Sequence, residues 1–127
     1  MSEREKIIEY ATSLPCASAD NPFEEDFDTT VLRHSDTGKW FGIIMNVCGN
    51  RVGLSEDIRI DVINLKCAPE DCFIAREMYD AIIPAYHMNK KHWISVILNG
   101  TVPFELISAL IDNSYELTNK KGRNKKC

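Results

Sequence analysis

The spacing of apolar residues changes along the chain, and each change marks an element. Behind Ser2-Glu3-Arg4-Glu5, an S-x-x-E capping box, Ile7, Ile8, Ala11 and Leu14 recur at helical spacing until Pro15, which predicts a helix over residues 2–14. Residues 16–28 hold Pro22 and the acids Asp20, Glu24, Glu25, Asp26 and Asp28. They read as a loop anchored in the core by Phe23 and Phe27. Two β-branched and aromatic runs, 29–34 and 39–47, are separated by Ser35-Asp36-Thr37-Gly38, turn-forming residues that predict a hairpin. A third strand is expected at 59–66, where Ile58, Ile60 and Val62 alternate in one phase and Ile63, Leu65 and Cys67 in the other. That double phase suggests a bulge or register switch at Val62-Ile63. Pro69, with Glu70 and Asp71 behind it, opens a second helix to Tyr79. Strands follow at 82–86 and 93–98. Pro103 then opens a last helix, in which Leu106, Ile107, Leu110, Ile111, Ser114 and Tyr115 form one broad face. The order α-β-β-β-α-β-β-α predicts an α+β fold with an antiparallel sheet of about five strands and helices on one face.

Composition narrows this to one domain over residues 1–117. The chain has 127 residues, 44% hydrophobic and 9% aromatic, enough for a single core. No apolar run reaches the ~20 residues of a membrane helix, and the charged start Met1-Ser2-Glu3-Arg4-Glu5-Lys6 is not followed by an apolar signal core. A cytoplasmic protein without membrane association is expected. Cys16, Cys48, Cys67, Cys72 and Cys127 are odd in number and contain no C-x-x-C pair, which argues against a disulfide framework and a zinc site. The net charge of −4 hides a polarity: residues 1–80 carry 8 Lys and Arg against 16 Asp and Glu, and residues 81–127 carry 7 against 3. Part of the basic excess lies in residues 118–127, expected to be a solvated, disordered tail.

The rest of that excess lies in the densest chemistry of the chain, Tyr86-His87-Met88-Asn89-Lys90-Lys91-His92-Trp93, bracketed by apolar sequence. As a hairpin loop on buried arms it suits a phosphate, a carboxylate or a nucleic-acid backbone. Lys90 and Lys91 would neutralise charge, His87, Asn89 and His92 would donate hydrogen bonds, and Tyr86 or Trp93 would stack. The competing reading is a hairpin turned by Asn89, with its imidazoles bonded to backbone and its lysines merely solvated. Asn64 and Lys66 share a face of their strand and would extend a basic patch with Arg33, Lys39 and Trp40 if those strands are neighbours. His87 and His92, five apart with lysines between them, do not form a metal-binding pattern. The acids near the N-terminus are interleaved with Arg4 and Lys6, so no metal or cofactor is expected. An enzymatic reading would use the histidines as bases and Cys67 as nucleophile, its thiol at a helix start, but nothing local orients such a set.

Arg33-His34 with Lys39-Trp40-Phe41, then Ile63-Asn64-Leu65-Lys66-Cys67-Ala68-Pro69-Glu70, then Pro84-Ala85 running into the Tyr86–Trp93 block, then Ser114-Tyr115-Glu116-Leu117, together resemble the MmcQ/YjbR family. The likeness extends from the first helix to Leu117. It implies a bacterial, cytoplasmic protein with a CyaY/frataxin-like fold, similar also to the double-wing arrangement of a phage transcription-factor domain. It therefore implies DNA binding, and it brings no catalytic activity with it. The leading expectation is a non-enzymatic protein binding DNA or another phosphate-bearing ligand through residues 87–92. The alternatives are a protein or small-anion interaction module using the same loop, and an enzyme with a His/Lys site.

Overall fold

The computed structural model describes residues 2–26 and 28–119. Among these residues three helices, α1 (Glu3–Thr12), α2 (Pro69–Met78) and α3 (Phe104–Thr118), accompany six strands: β1 (Ala17–Asp20), β2 (Thr30–His34), β3 (Trp40–Cys48), β4 (Arg59–Lys66), β5 (Ile82–Pro84) and β6 (Trp93–Ile97). The sheet runs β1-β2-β3-β4-β6-β5, every neighbouring pair antiparallel. Six strands stand where five were expected. The extra one, β1, is Ala-Ser-Ala-Asp, which has no strand-forming residue. It becomes a strand because its backbone pairs with β2, Ala17 opposite His34 through Asp20 opposite Val31, so tertiary pairing overrides local preference.

The helices begin where their caps direct. Ser2 Oγ accepts from the Glu5 amide at 3.2 Å and Glu5 Oε1 accepts from the Ser2 amide at 3.3 Å, the reciprocal capping box read from the sequence. Pro69 opens α2 at its first position, where no amide is missed. Helices α1 and α3 lie against β1–β4, while α2 lies against β5 at the sheet edge. Ile7, Ile107 and Ile111 enter one core with Leu32, Ile44, Ile63, Leu65 and Ile94. Each such side chain, fully buried, contributes on the order of 1.5–3 kcal/mol. Ser114, on α3, is wholly buried. Its hydroxyl donates to Phe41 O at 2.6 Å and accepts from the Lys66 amide at 2.9 Å, so one side chain joins α3 to both β3 and β4. His34 packs against the rings of Phe41 and Tyr115, which also meet each other, and its Nε2 is 2.7 Å from Thr118 Oγ1. Packing therefore reaches Thr118, one residue beyond the expected domain boundary. Residues 120–127 of the expected tail lie outside the described residues.

The double phase in β4 has a different cause from the one expected. Arg59 through Leu65 pair with β3 without interruption, and Val62, Ile63, Asn64 and Leu65 are all buried because both faces of the strand are covered. Opposite the helices the cover comes from the connections between strands. Val52, in the turn after β3, belongs to the same core as Val62 and Ile97. The register shift lies instead between Leu32 and Arg33, whose partners Gly42 and Trp40 leave Phe41 as the extra residue. Space is tight beside it: a Cβ at Gly42 would come within 2.9 Å of Leu32 Cδ1, so the buried Leu32 side chain would have to shift. Phe23 is not a core anchor. It is 42% exposed and meets Trp40 edge-on at 6.2 Å. Phe27, the other expected anchor, lies outside the described residues.

Candidate functional site

Residues 85–92 connect β5 to β6 and are held from below by polar groups inside otherwise apolar strands. Asn64, opposite Ser95 in the β4–β6 pairing, is 1% exposed and Ser95 is fully buried. Asn64 Nδ2 donates to Tyr86 O at 2.8 Å, the Tyr86 amide donates to Ser95 Oγ at 2.8 Å, and Ser95 Oγ donates to Asn64 Oδ1. Three buried polar groups thereby satisfy one another, and the start of the loop is pinned to the sheet. Asn64 is thus a support beneath the loop and not part of an exposed patch. Ser95 was passed over in the sequence. The signal was present in Ile94-Ser95-Val96, where a hydroxyl interrupts an apolar strand.

The loop itself divides into structural and exposed groups. Asn89 Oδ1 accepts from the amides of Lys91 and His92 at 2.9 and 3.2 Å, a side-chain-capped turn. His87, not Asn89, adopts the left-handed backbone conformation, with φ of 60°, and its ring lies 3.9 Å from that of Tyr86. Lys90 turns inward and donates to Ala85 O at 2.8 Å. His87, Lys91 and His92 are left facing solvent.

The sheet residues expected to join them do share a face. Arg33 pairs with Trp40, and Lys66 pairs with Trp93 two residues along β4 from Asn64. Arg33 is not available as a free cation, however. Its Nε and Nη2 donate to the two Asp20 carboxylate oxygens at 2.7 and 3.0 Å, while its guanidinium carbon lies 5.8 Å from the centre of the Trp40 ring. Lys39 is exposed in the β2–β3 turn, and Lys66 and Trp40 are half-buried. Of the ten residues singled out from the sequence, Asn64, Asn89, Lys90 and Arg33 thus have polar groups bonded within the chain, Asn64 buried, Arg33 half-buried and Asn89 and Lys90 exposed. His87, Lys91, His92, Lys39 and Lys66 keep accessible polar groups, and Trp40 offers a ring.

Cys67, the candidate nucleophile, is buried, and burial pushes its thiol up to about 12, with neighbouring Cys72 adding to the effect. Desolvation outweighs the pull of the α2 N-terminus. Among the described residues no three His, Cys, Asp or Glu side chains are grouped to hold a metal ion, and no helix is long and apolar enough to cross a membrane.

Comparison with known proteins bears on the same span. A family model described as YjbR matches residues 12–117. The chain is similar to the uncharacterized protein YyaQ of Bacillus subtilis, 41% identical over 93% of this chain and 99% of that protein. It is also similar to the uncharacterized protein YbdF of Escherichia coli, 32% identical over 91% of this chain and 84% of the relative. Among solved structures, a crystal structure of a Pseudomonas syringae protein superposes with a TM-score of 0.86 at 41% identity, covering 92% of this chain and 99% of the other. A Deinococcus radiodurans protein superposes with a TM-score of 0.74 at 30% identity, covering 98% of this chain and 84% of the other.

Proposed function

The chain belongs to the YjbR family, and from that premise we propose that it is a non-catalytic binding module that takes a phosphate or carboxylate group on the solvent side of the β5–β6 loop. The observation that carries this reading is the division within the loop. Asn64 and Ser95 hold its start and Asn89 and Lys90 brace its turn, while Lys91, His92 and His87 project from that fixed frame. With the loop backbone already held, only side-chain freedom is lost when an anion arrives. The burial and raised pKa of Cys67 favour binding over covalent chemistry.

A small or protein-borne anion is favoured over a long nucleic-acid backbone. Arg33 is already neutralised by Asp20, and Glu24 and Glu25 are exposed in the connection that brings Phe23 onto Trp40. Lys39, Lys66, Lys90 and Lys91 keep their charge, enough for about four phosphate contacts, whereas high-affinity duplex binders make roughly six to ten. Duplex DNA is the second reading, supported by the common sheet face of Arg33, Trp40 and Lys66. The CyaY-like or double-wing assignment belongs with it.

Two titrations test these readings. Inorganic phosphate followed by amide NMR should shift Lys91 and His92 saturably, and Lys91→Ala should remove the effect. Labelled duplex DNA should bind weakly, with an affinity that falls by a logarithmic salt slope of about three to four. Phosphate silence at low salt would overturn the first reading; absence of DNA binding at the same salt would overturn the second.

A further inference from the structure

A groove follows β3 on the sheet face opposite α1 and α3. Ile43, Met45 and Asn64 form its floor, and Trp40 closes one end. Phe23, Asp26 and Thr29 from the β1–β2 connection make one wall, and Tyr86, His87 and Met88 make the other. This compartment encloses about 330 Å³. A second, of about 390 Å³, shares Asp26, Thr29, Met45, Tyr86 and His87 with it and extends to Cys48, Arg51 and Arg59. Each lies within the size range of small-molecule sites.

The two ends differ in chemistry, and the walls are held in place. At the Trp40 end Phe23 and Met88 present apolar surface to solvent, an arrangement that gains from being covered. At the other end Arg59 is committed through Nε and Nη2 to Asn46 at 2.8 Å each. Arg51 is exposed and has no hydrogen-bond partner among the described residues. A planar guanidinium at the mouth of an apolar slot matches a carboxylate bidentately. Asp26, which borders both compartments, accepts from Thr29 Oγ1 at 2.5 Å and from the Asp28 amide at 3.2 Å, so its carboxylate is occupied in fixing its wall. The opposite wall is fixed by the bonds of Tyr86 to Asn64 and Ser95.

We propose that this groove binds a small aryl carboxylate, its flat apolar body over Ile43 and Met45 and its carboxylate on Arg51. Met45 and Cys48 are three steps apart on β3, with Asn46 and Val47 between them, roughly 10 Å along a strand, which is the length of a two-ring acid. The groove adjoins the loop at His87, which lines both compartments, but lies apart from the loop tip, since Lys91 and His92 border neither.

The test is an amide NMR titration with 2-naphthoate and its uncharged counterpart 2-naphthamide. Naphthoate should saturate shifts at Met45, Cys48 and His87 and at the Trp40 indole, binding about tenfold more tightly than the amide, as expected for one charge-assisted bidentate contact. Arg51→Ala should abolish that preference and leave amide binding unchanged; its side chain is exposed and unpartnered, so folding is not at stake. Phe23→Ser should weaken both ligands. Equal binding of acid and amide, an unaffected Arg51→Ala variant, or no saturation would overturn the proposal. Shifts confined to Lys91 and His92 would also overturn it, assigning the anion to the loop tip instead.

Discussion

Tyr10 and Asp112, 102 positions apart in the chain, are joined by a 2.6 Å hydrogen bond that ties α1 to α3. Beside it the Tyr10 ring meets Phe104 edge-on at 6.1 Å. The Asp112 carboxylate accepts the phenol proton and, with some burial, pushes the Tyr10 pKa from its ordinary 10 up to about 12. The native state therefore favours the protonated phenol. Its contribution is complete below pH 10 and is lost as pH rises from 10 through about 12. Tyr10→Phe should cost about 1 kcal/mol in urea denaturation at neutral pH. The gap between wild type and variant should close across that alkaline window; a gap that persists at its upper end would contradict the assignment.

Asn64→Ala removes the donor to Tyr86 O and leaves Ser95 Oγ without its acceptor, both in the interior. A loss of roughly 2–3 kcal/mol is expected from the unpaired polar groups. The effect should be local as well as global: hydrogen exchange at residues 85–92 should accelerate more than in the Ile44–Ile63 region of the sheet. Uniform acceleration would show that Asn64 serves the core and not the loop.

Ser114→Ala should be costly for a surface-like change of one oxygen atom. Its hydroxyl is shared between Phe41 O and the Lys66 amide, so the variant strands an acceptor on β3 and a donor on β4. A loss of about 2 kcal/mol is expected, read from chemical denaturation. Ser108→Ala is the control, because Ser108 Oγ bonds only to Glu105 O within its own helix on the exposed side.

Thiol labelling should follow burial. Cys48 is half-buried and free, whereas Cys67 and Cys72 are each 1% exposed, and burial raises both of their pKa values. Iodoacetamide followed by peptide mass spectrometry should modify Cys48 at least about a hundredfold faster, since the thiolate is the reactive form. Cys67 and Cys72 should react only at the rate of unfolding. Rapid native labelling of Cys67 would revive the nucleophile reading.

What could be read from the sequence follows from where the information resides. Ser2, Glu5 and Pro69 act on their own helix starts, so their capping roles were legible. The turn at Ser35–Gly38 was legible too, with Gly38 at φ of 76°. β1 was not, since Ala17–Asp20 owes its extended form to β2. The β4 pattern misled because burial on both faces produces two interleaved apolar phases with no break in pairing. At the loop, residue types singled out the segment but not the partners of its side chains. Nothing in Lys90-Lys91 tells which ammonium turns in to Ala85 O and which stays out. The groove was invisible because its walls come from segments some sixty residues apart, Phe23–Thr29 and Tyr86–Met88.

The two outermost strands are short, and each ends in a residue hostile to further pairing: β1 has four residues closing on Asp20, β5 three closing on Pro84. A neighbouring chain approaching either side meets only a brief run of free amides and carbonyls, with a charge on one flank and a residue lacking an N–H on the other. The sheet is thereby protected against growing into a fibre by strand addition, even though its central strands are rich in Ile and Val. Its long, sticky strands are kept inside, and its borders are made of the segments least able to template another molecule.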